Sequence, residues 1–569
     1  MFLSVMGYNA AALFGFAVPS LFAIAASVPA DIPPRVDLGY AIHQASLNFT
    51  NNPYPYYNFS NIRYGQAPVG ELRWKAPLPI NAHDRNQTVN EGQTGVIPTQ
   101  VKPVWYGLEQ PFLTKWLADE EFADPAIFNS AVSNFTVPAP DPQKIFKSTD
   151  RKAPVLVWIH GGGYAFGDKT SEGNPATFIA KSELNGADGV VFVSINYRLG
   201  LFGWLSGDDN VTANVGLLDQ RLALEWVQEN IHRFGGDPSR VTVMGESAGG
   251  GSIMHHITSY GGKGSTPLFH QAIIQSPAFQ PFVPQQSKIL FDWVLGNASA
   301  VANKQITSAQ DLRALSFEEL RAVNALMVGK SPYGRLTFGP VVDPSPNSYV
   351  PDFPIRLISQ KKFHDVPVMV SQTAHEGRVF TPPFDYSEDQ NMREIQELFP
   401  TANSSVIEEI SQTLYPQVYD GTHGYKNKIE RSNTVISDLL VGCNAYYLSK
   451  TLSRAYGYVF DIEPKVHAED VDWQFDNGDI EEDVAGITID HTIADAMQKY
   501  ITAFAMGGVP VAEGLPTFSE YGKNYTVSDI TDVFDDEEYE NLGRHVRDPA
   551  ARPQCNFWAA APFYDAGSS

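Results

Sequence analysis

A serine flanked by glycines at the end of an apolar run is the residue of this chain best suited to chemistry. Ser247 is the centre of the sequence Gly-Glu-Ser-Ala-Gly at 245–249, which directly follows the apolar run 241–244. Where a strand turns sharply into a helix, the turn lifts a serine hydroxyl into reach of a substrate, and glycines two positions away leave the necessary room. The pattern predicts a nucleophile, provided that partners accompany it.

Three consecutive glycines upstream are candidates for stabilising a negative charge. They occupy 161–163, after the apolar run 155–159 and His160. Backbone N–H groups of such a run can point at a ligand with no side chain in the way. We therefore expect an oxyanion hole here, completed by the N–H of Ala248 beside the serine. Alternatively, the three glycines form only a flexible turn with no role in binding.

Short apolar runs alternate with amphipathic stretches, and these elements must position the candidate residues. The segment 217–231 has a largely helical apolar face. Strand, helix, strand order with continuous apolar strands predicts an α/β fold whose mostly parallel central sheet has helices on both faces. Active sites of such sheets lie at the carboxyl ends of the strands. The predicted strands are 155–159, 190–195, 241–244, 272–274, 366–370 and 458–460.

A serine hydroxyl needs a base, and four histidines follow the serine and the acid in the chain order expected of this architecture. They are His423, His467, His491 and His545. His467 follows the predicted strand 458–460 within a loop, whereas His491 opens a helical stretch, as a capping residue does. We therefore predict His467 as the general base, with His491 as its rival.

A carboxylate must hold that base in the correct tautomer. Glu376 follows the predicted strand 366–370, again at a carboxyl end, and is the predicted acid, although a solvated turn carboxylate would look the same. Asp343 is the alternative because it follows two valines, but Pro340 argues against a central strand there.

The amino terminus has the composition of a secretory leader. No charged residue precedes Asp31, and residues 10–28 are almost wholly apolar. We predict a signal peptide at 1–26 and a single catalytic domain at 32–566; an uncleaved anchor is the alternative, because Lys and Arg are missing from the start. The mature chain is expected to be a secreted, extracellular glycoprotein without stable membrane association. Its N-x-S/T sequons are at Asn48, Asn58, Asn86, Asn134, Asn210, Asn297, Asn403 and Asn524.

Charge and cysteine content exclude several classes of protein. A formal net charge of −24 repels phosphate, so nucleic acid is not an expected partner. We interpret the acidic clusters 476–483 and 532–540 as solvated faces rather than cation sites.

Two cysteines, Cys443 and Cys555, exclude a multi-bridge scaffold and a Cys-rich zinc site. In an oxidising compartment they would pair as a disulfide; two buried free thiols are the alternative.

Several longer motifs resemble the type-B carboxylesterase/lipase (cholinesterase-like) family of α/β-hydrolases, in particular its fungal secreted members. The resemblance covers about residues 36–562. It implies a catalytic triad of Ser247, Glu376 and His467, oxyanion donors at Gly162, Gly163 and Ala248, and no metal or organic cofactor. The motifs are 61–74, 160–163, 196–198, 216–221, 234–238, 245–249, 467–470 and 555–558.

One region departs from the family pattern. Members usually carry a Glu-Asp-Cys-Leu segment shortly before the glycine run, but residues 120–140 contain no cysteine and no such sequence. Because a related disulfide-bounded lid governs interfacial activation in lipases of the family, its absence favours an esterase. Neither Trp105 nor Trp116 aligns with the choline-binding tryptophan of cholinesterases, so acetylcholine is not an expected substrate.

The resulting prediction is a secreted serine carboxylic ester hydrolase that acts on a small-molecule or lipid ester through an acyl-enzyme. Three alternatives remain: a lipase acting on long-chain glycerides, a transesterase that passes the acyl group to an alcohol, and a non-catalytic adhesion member of the same fold. The sequence leaves the oligomeric state open.

Overall fold

The computed structural model describes most of the chain, and the remaining segments include several sequence features of interest. Residues 120–140, the acidic cluster 532–540, Trp116 and Asn134 lie outside the described residues, as does most of the predicted leader. The described residues are 2–5 (backbone), 33–48, 56–81, 85–92, 96–108, 113, 152–183, 189–264, 267–382, 393, 395–483, 485–522, 524–531 and 542–564.

The strands form one large and one small sheet. In chain order they are β1 (Phe2–Val5), β2 (Arg35–Asp37), β3 (Ala41–Gln44), β4 (Ser46–Asn48), β5 (Tyr56–Phe59), β6 (Asn86–Asn90), β7 (Ala153–Ile159), β8 (Val191–Ile195), β9 (Gly236–Glu246), β10 (Gln271–Gln275), β11 (Val368–Thr373), β12 (Ala455–Phe460), β13 (Thr526–Ile530) and β14 (Arg544–Arg547).

The large sheet has the order β4-β5-β1-β8-β7-β9-β10-β11-β12-β13-β14. The run from β8 to β13 is parallel, and β14, β1, β5 and β4 pair antiparallel with their neighbours. Strands β2, β3 and β6 form the small sheet. The predicted α/β class with a mostly parallel central sheet is confirmed.

Helices cover both faces of the large sheet. They are α1 (Ala176–Ser182), α2 (Gly200–Trp204), α3 (Val215–Asn230), α4 (Ala248–Ile257), α5 (Pro284–Ala302), α6 (Ala309–Arg313), α7 (Phe317–Gly329), α8 (Pro354–Ser359), α9 (Ser404–Glu408), α10 (Lys428–Ser437), α11 (Cys443–Thr451), α12 (Glu469–Phe475), α13 (His491–Gly507) and α14 (Gln554–Ala560).

Side-chain alternation along the buried strands divides the interior into two cores. In β7, Val155, Val157 and Ile159 face a core that includes residues of α3, α4 and α5. Leu156 and Trp158 face the opposite core, with residues of α1 and α13. Because helices cover both faces of the sheet, the strand is apolar throughout. Polar residues are accommodated in the loops that follow the ends of the strands. Those loops carry the predicted site residues.

All six predicted strands differ at one or both ends from the observed ones. Strand β9 begins at Gly236 rather than at 241, and β11 begins at Val368 rather than at 366. Pro367 accounts for the second difference: its carbonyl accepts from the Ala272 N–H, but a proline has no N–H to continue the ladder. The shift moves the end of β11 towards Glu376.

The acidic cluster 476–483 is solvated only in part: Asp479, Glu481 and Glu482 are exposed, as we expected. Asp476 and Asp483 at its ends are buried. Asp476 accepts hydrogen bonds from the Gly478 N–H and from His491 Nδ1, and Asp483 accepts from Trp473 Nε1 and from backbone N–H groups. The run of acidic residues predicted that all of them would be solvated. These two carboxylates instead accept hydrogen bonds that stabilise the turns next to α12.

The amino-terminal strand lies within the predicted leader. The backbone of Phe2–Val5 pairs with β8 on one side and with β5 on the other. Removal of residues 1–26 would leave this position in the sheet empty. The boundaries 1–26 and 32–566 therefore stay predictions. No helix among the described residues has the length and apolarity that a membrane span requires.

The two cysteines are joined. Cys443 at the start of α11 and Cys555 in α14 form a disulfide that spans 112 residues, and both side chains are buried. The bond ties the carboxyl-terminal helix to the helical layer against the sheet. Asp438 lies near both sulfurs, but sulfurs bonded to each other offer no thiolate to a metal ion.

Candidate active site

The turn between β9 and α4 holds Ser247 in a backbone conformation that few residues adopt, with φ 55° and ψ −121°. A Cβ atom on Gly245 would lie 2.8 Å from the Ile159 carbonyl oxygen, and one on Gly249 would lie 1.9 Å from it. The packing of this turn against the end of β7 therefore requires both glycines. The Ser247 N–H donates to the Gln275 carbonyl at 3.0 Å, which fixes the turn to the neighbouring strand.

The structure brings the three predicted triad residues into one line of hydrogen bonds. Ser247 Oγ lies 2.7 Å from His467 Nε2, and His467 Nδ1 lies 2.5 Å from Glu376 Oε2. With the ring proton on Nδ1 donating to the carboxylate, Nε2 is free to accept the serine proton. The residues are 8%, 8% and 2% exposed, in the order Ser247, His467 and Glu376, so bulk water competes little with these bonds.

Each triad member comes from the carboxyl end of a different parallel strand. Ser247 follows β9, Glu376 follows β11 and His467 follows β12. Glu376 is held by its second oxygen, Oε1, which accepts from Ser276 Oγ at 2.7 Å and from the Thr373 N–H at 2.7 Å. Sequence reasoning missed Ser276, although it follows β10 and the same strand-end rule could have found it.

The other candidate histidines and acid do not join this line within the described residues. His491 begins α13 and its Nδ1 lies 2.6 Å from Asp476 Oδ2. His423 stacks on Tyr425, and His545 contacts Ser519 and the Thr517 carbonyl. Asp343 accepts a hydrogen bond from the Ser345 N–H in a turn. Of the four histidines, His467 is the one that contacts Ser247 in the part of the chain described.

The glycine run passes directly beside the serine. A Cβ on Gly161 would lie 3.1 Å from the Ser247 Cβ. Gly162 and Gly163 have φ of +93° and +56°, and a Cβ on Gly162 would lie 2.2 Å from the Phe166 carbonyl oxygen. Across the described ranges, none of the N–H groups of Gly162, Gly163 and Ala248 donates to a protein acceptor. These groups are therefore available to a substrate oxygen.

Glu246, inside the nucleophile motif, approaches the triad from the other side. Its Oε1 lies 3.3 Å from His467 Nε2, and the side chain is buried. Burial, assisted by the charges of Asp470, Glu172 and Glu376, raises the pKa of Glu246 well above its usual value. Burial thus favours the neutral acid over the carboxylate at this position. Sequence reasoning used this residue only as part of the turn.

The pKa values of two further acids behind the site are also raised. Burial raises the pKa of Asp470 to about 7, against the opposing effect of the Tyr458 hydroxyl, which donates to its Oδ2 at 2.9 Å. Burial and the nearby Asp483 raise the pKa of Glu469 to about 9. These raised pKa values favour the neutral acids and so limit the negative charge behind the site.

The face of the site available to a substrate is aromatic and aliphatic. The Phe380 ring meets the His467 ring edge to face at 5.1 Å, and Trp105 packs 6.1 Å from Phe380. On the glycine run, a Cβ at Gly163 would lie 2.7 Å from the Leu336 Cδ2. Sequence reasoning missed Phe380 and Leu336, because only the folded loops bring them to the site. The wall favours an apolar acyl or alcohol group.

The architecture is that of the α/β-hydrolases. The structure superposes on EstA of Aspergillus niger with a TM-score of 0.70 and 22% sequence identity, covering 94% of this chain and 99% of that one. It superposes on a thermophilic pNB esterase with a TM-score of 0.67 and 23% identity, covering 91% of this chain and 98% of the other. These similarities establish the fold.

Sequence similarity shows to which family of α/β-hydrolases the chain belongs. The family model described as "Carboxylesterase family" matches residues 44–558, and the chain belongs to this family. Carboxylesterase patB of Aspergillus clavatus is 35% identical over 97% of this chain and 100% of its own length. Lipase 2 of Geotrichum candidum is 30% identical over 67% of this chain and 72% of its own length. The protein is accordingly a carboxylic ester hydrolase.

Proposed function

We propose that the protein is a secreted carboxylesterase that cleaves its substrate through a covalent acyl-enzyme on Ser247. The observation that carries the proposal is the unbroken line of hydrogen bonds from Ser247 Oγ through His467 to Glu376. The available N–H groups of Gly162, Gly163 and Ala248 beside the serine complete the requirements for acyl transfer.

In the first half-reaction, Ser247 Oγ attacks the ester carbonyl carbon while its proton moves to His467 Nε2. The carbonyl oxygen becomes an oxyanion that accepts from the three backbone N–H groups, and Glu376 stabilises the imidazolium through Nδ1. The tetrahedral intermediate then collapses, the bond to the alcohol oxygen breaks, and His467 gives its proton to that oxygen. The alcohol leaves and the acyl group remains on Ser247.

In the second half-reaction, His467 takes a proton from a water molecule, whose oxygen attacks the acyl-enzyme carbonyl. Collapse of this second tetrahedral intermediate releases the carboxylic acid and returns the proton to Ser247. Apart from the ester and water, these two half-reactions use only groups of this chain. An alcohol that replaced water at this step would give transesterification at the same site.

We prefer a carboxylesterase to a lipase because the patB relative matches the whole length of the chain at 35% identity, whereas Lipase 2 matches about two thirds of it. Nitrophenyl esters of increasing acyl length, with and without an emulsion, separate the two functions. A carboxylesterase should prefer short dissolved esters, and a sharp rise in rate at an emulsion interface would favour the lipase.

Secretion is supported by the apolar leader and by the disulfide, which an oxidising compartment permits. Three sequons have exposed asparagines among the described residues, at Asn210, Asn403 and Asn524. When the protein is expressed in a glycosylating host, we therefore expect to find it in the culture medium. Its amino terminus should lie after the leader, and glycosidase treatment should reduce its mass. Retention of residues 1–26 in the secreted protein would contradict the leader assignment.

The decisive variant is Ser247→Ala, measured on a short-chain nitrophenyl ester. We expect its turnover to fall by at least about 10⁴-fold, because the nucleophile is lost while the binding surface remains. Ser239→Ala is the matched control, since Ser239 lies on the same strand β9 and is exposed. It should behave as the natural protein does. Retained hydrolysis by Ser247→Ala would refute the proposed nucleophile.

A further inference from the structure

A large cavity lies apart from the catalytic residues. Its volume is about 1010 Å³, and none of the triad or oxyanion residues lines it. The walls come from the segment 61–69, the strand and loop at 88–92, the loop at 96–99 and the segment 196–202 that follows β8. A volume of this size is ample for a ligand the size of a long-chain organic molecule.

The wall of this cavity is cationic, although the protein as a whole is strongly acidic. Four basic residues line it against two acidic ones: Arg63, Arg73, Lys169 and Arg198 against Glu91 and Asp219. The net charge of the chain is −24. A local excess of positive charge in such a chain attracts anions to this point of the surface.

One of these cations is buried and has no ion-pair partner among the described residues. Lys169 is 6% exposed, and its Nζ donates to the Val96 carbonyl at 2.7 Å and to Asn61 Oδ1 at 3.4 Å. In the described part of the chain no carboxylate forms an ion pair with it. Arg198, by contrast, is engaged with Asp219 through two bonds of 2.7 and 2.8 Å. A buried ammonium with neutral partners only is stabilised by an anion.

Four of the side chains that line the cavity are both apolar and exposed, and we call this exposed part of the lining the mouth. Val69, Val96, Ile97 and Phe317 line it and are 62%, 58%, 53% and 47% exposed. They are four of the eleven large apolar side chains that are exposed among the described residues. Exposed apolar side chains concentrated at one opening are typical of a binding site for an apolar group.

We propose that this cavity is a second ligand site, which binds a carboxylate with an aliphatic chain. The carboxylate would pair with the cations of the wall, among them Lys169, and the chain would cover the apolar mouth. A neutral ligand would leave Lys169 without a counter-ion, and a compact inorganic anion would leave the mouth exposed. The site is independent of ester hydrolysis and does not rest on the proposed function.

The test is a calorimetric titration of decanoate into enzyme whose active site has first been blocked with a phosphonate. We expect saturable binding at one site, retained after blocking. Arg63→Glu, which reverses an exposed cation of the wall, should weaken the affinity by about tenfold or more. Arg240→Glu changes the charge equally at an exposed position outside the cavity and should leave the affinity unchanged.

A second variant guards against a folding defect. Phe317→Asp places a negative charge at the mouth, on the first residue of α7, where an acid is favourable for the helix. It should also weaken decanoate binding. The proposal is overturned if blocking the active site abolishes the binding, if decanol binds as tightly as decanoate, or if both folded variants bind decanoate like the natural protein.

Discussion

Glu246 Oε1 lies 3.3 Å from His467 Nε2, the same nitrogen that receives the Ser247 hydroxyl at 2.7 Å. A carboxylate at this distance would favour the imidazolium before any substrate had bound, and would draw its proton away from the leaving alcohol. The buried environment opposes this by raising the pKa of Glu246, which favours the neutral acid beside His467. The sequence 245–249 thus contributes two residues that contact His467: Ser247 and the titratable Glu246.

Glu246→Gln should keep turnover within about tenfold of the natural protein at neutral pH. The amide has nearly the same shape as the neutral acid that burial favours, so the expected change is that of about one altered hydrogen bond. The measurement is kcat on a short-chain nitrophenyl ester. A loss of about 10³-fold or more in a folded variant would show that Glu246 acts in its ionised form.

Gly162→Ala should lower turnover by about 10²- to 10³-fold, the loss typical of one oxyanion donor. The residue has φ +93° and a Cβ would clash with the Phe166 carbonyl, so the N–H must move. Gly296→Ala is the matched control, because a Cβ on this residue of α5 meets nothing within 4 Å. Its activity should be unchanged. Equal activities of the two variants would exclude Gly162 from the oxyanion hole.

Replacing both cysteines should destabilise the protein without changing its chemistry. The Cys443–Cys555 bond closes a segment of 112 residues in a buried region. The double variant Cys443→Ala/Cys555→Ala should lose about 2–5 kcal/mol of unfolding free energy, measured by denaturant titration. Dithiothreitol should lower the stability of the natural protein and leave the double variant unaffected. Equal stability of the two proteins would show that the bond does not stabilise the fold.

The free energy of unfolding should fall as the pH rises through the range in which Glu469 is protonated in the folded state but ionised in the unfolded state. Burial raises its pKa from 4.5 to about 9, so between these values the folded state binds more protons than the unfolded state. The unfolding free energy contributed by Glu469 is therefore present below pH 4.5 and is lost as the pH rises towards 9.

Glu469→Gln should reduce this pH dependence, because an amide does not ionise and can still accept from the Val466 N–H. The measurement compares denaturation midpoints at about pH 6 and about pH 8.5. Glu481→Gln, at an exposed position, is the control and should retain the natural slope. An unchanged slope in Glu469→Gln would mean that this carboxyl is not the group that titrates.

The convergence of Ser247, His467 and Glu376 could be anticipated from the sequence, because all three follow strand ends. Glu376 and His467 are 91 residues apart, yet both follow buried apolar strands, and parallel strands bring their carboxyl ends together. The glycines at 245 and 249 are a local signal, since the turn itself requires them. The same rule applied to β10 would have found Ser276.

Other features depend on packing that no local pattern shows. Asp476 and Asp483 belong to a run of acids, and only the fold around α12 reveals that both are buried and hydrogen-bonded. The proximity of Glu246 to His467 depends on a side-chain orientation inside the core. The cavity that lies apart from the catalytic residues forms where loops distant in the sequence meet, so its charge could not be predicted from composition.

The most direct test of the account is to identify the residue that a fluorophosphonate modifies. Such reagents bond to the activated serine of an acyl-transfer site, because His467 and the oxyanion donors assist the same attack. We predict that peptide mass spectrometry will find one adduct, on Ser247, in proportion to the activity lost. Inactivation with the adduct on another residue, or with no adduct on Ser247, would contradict the proposed mechanism.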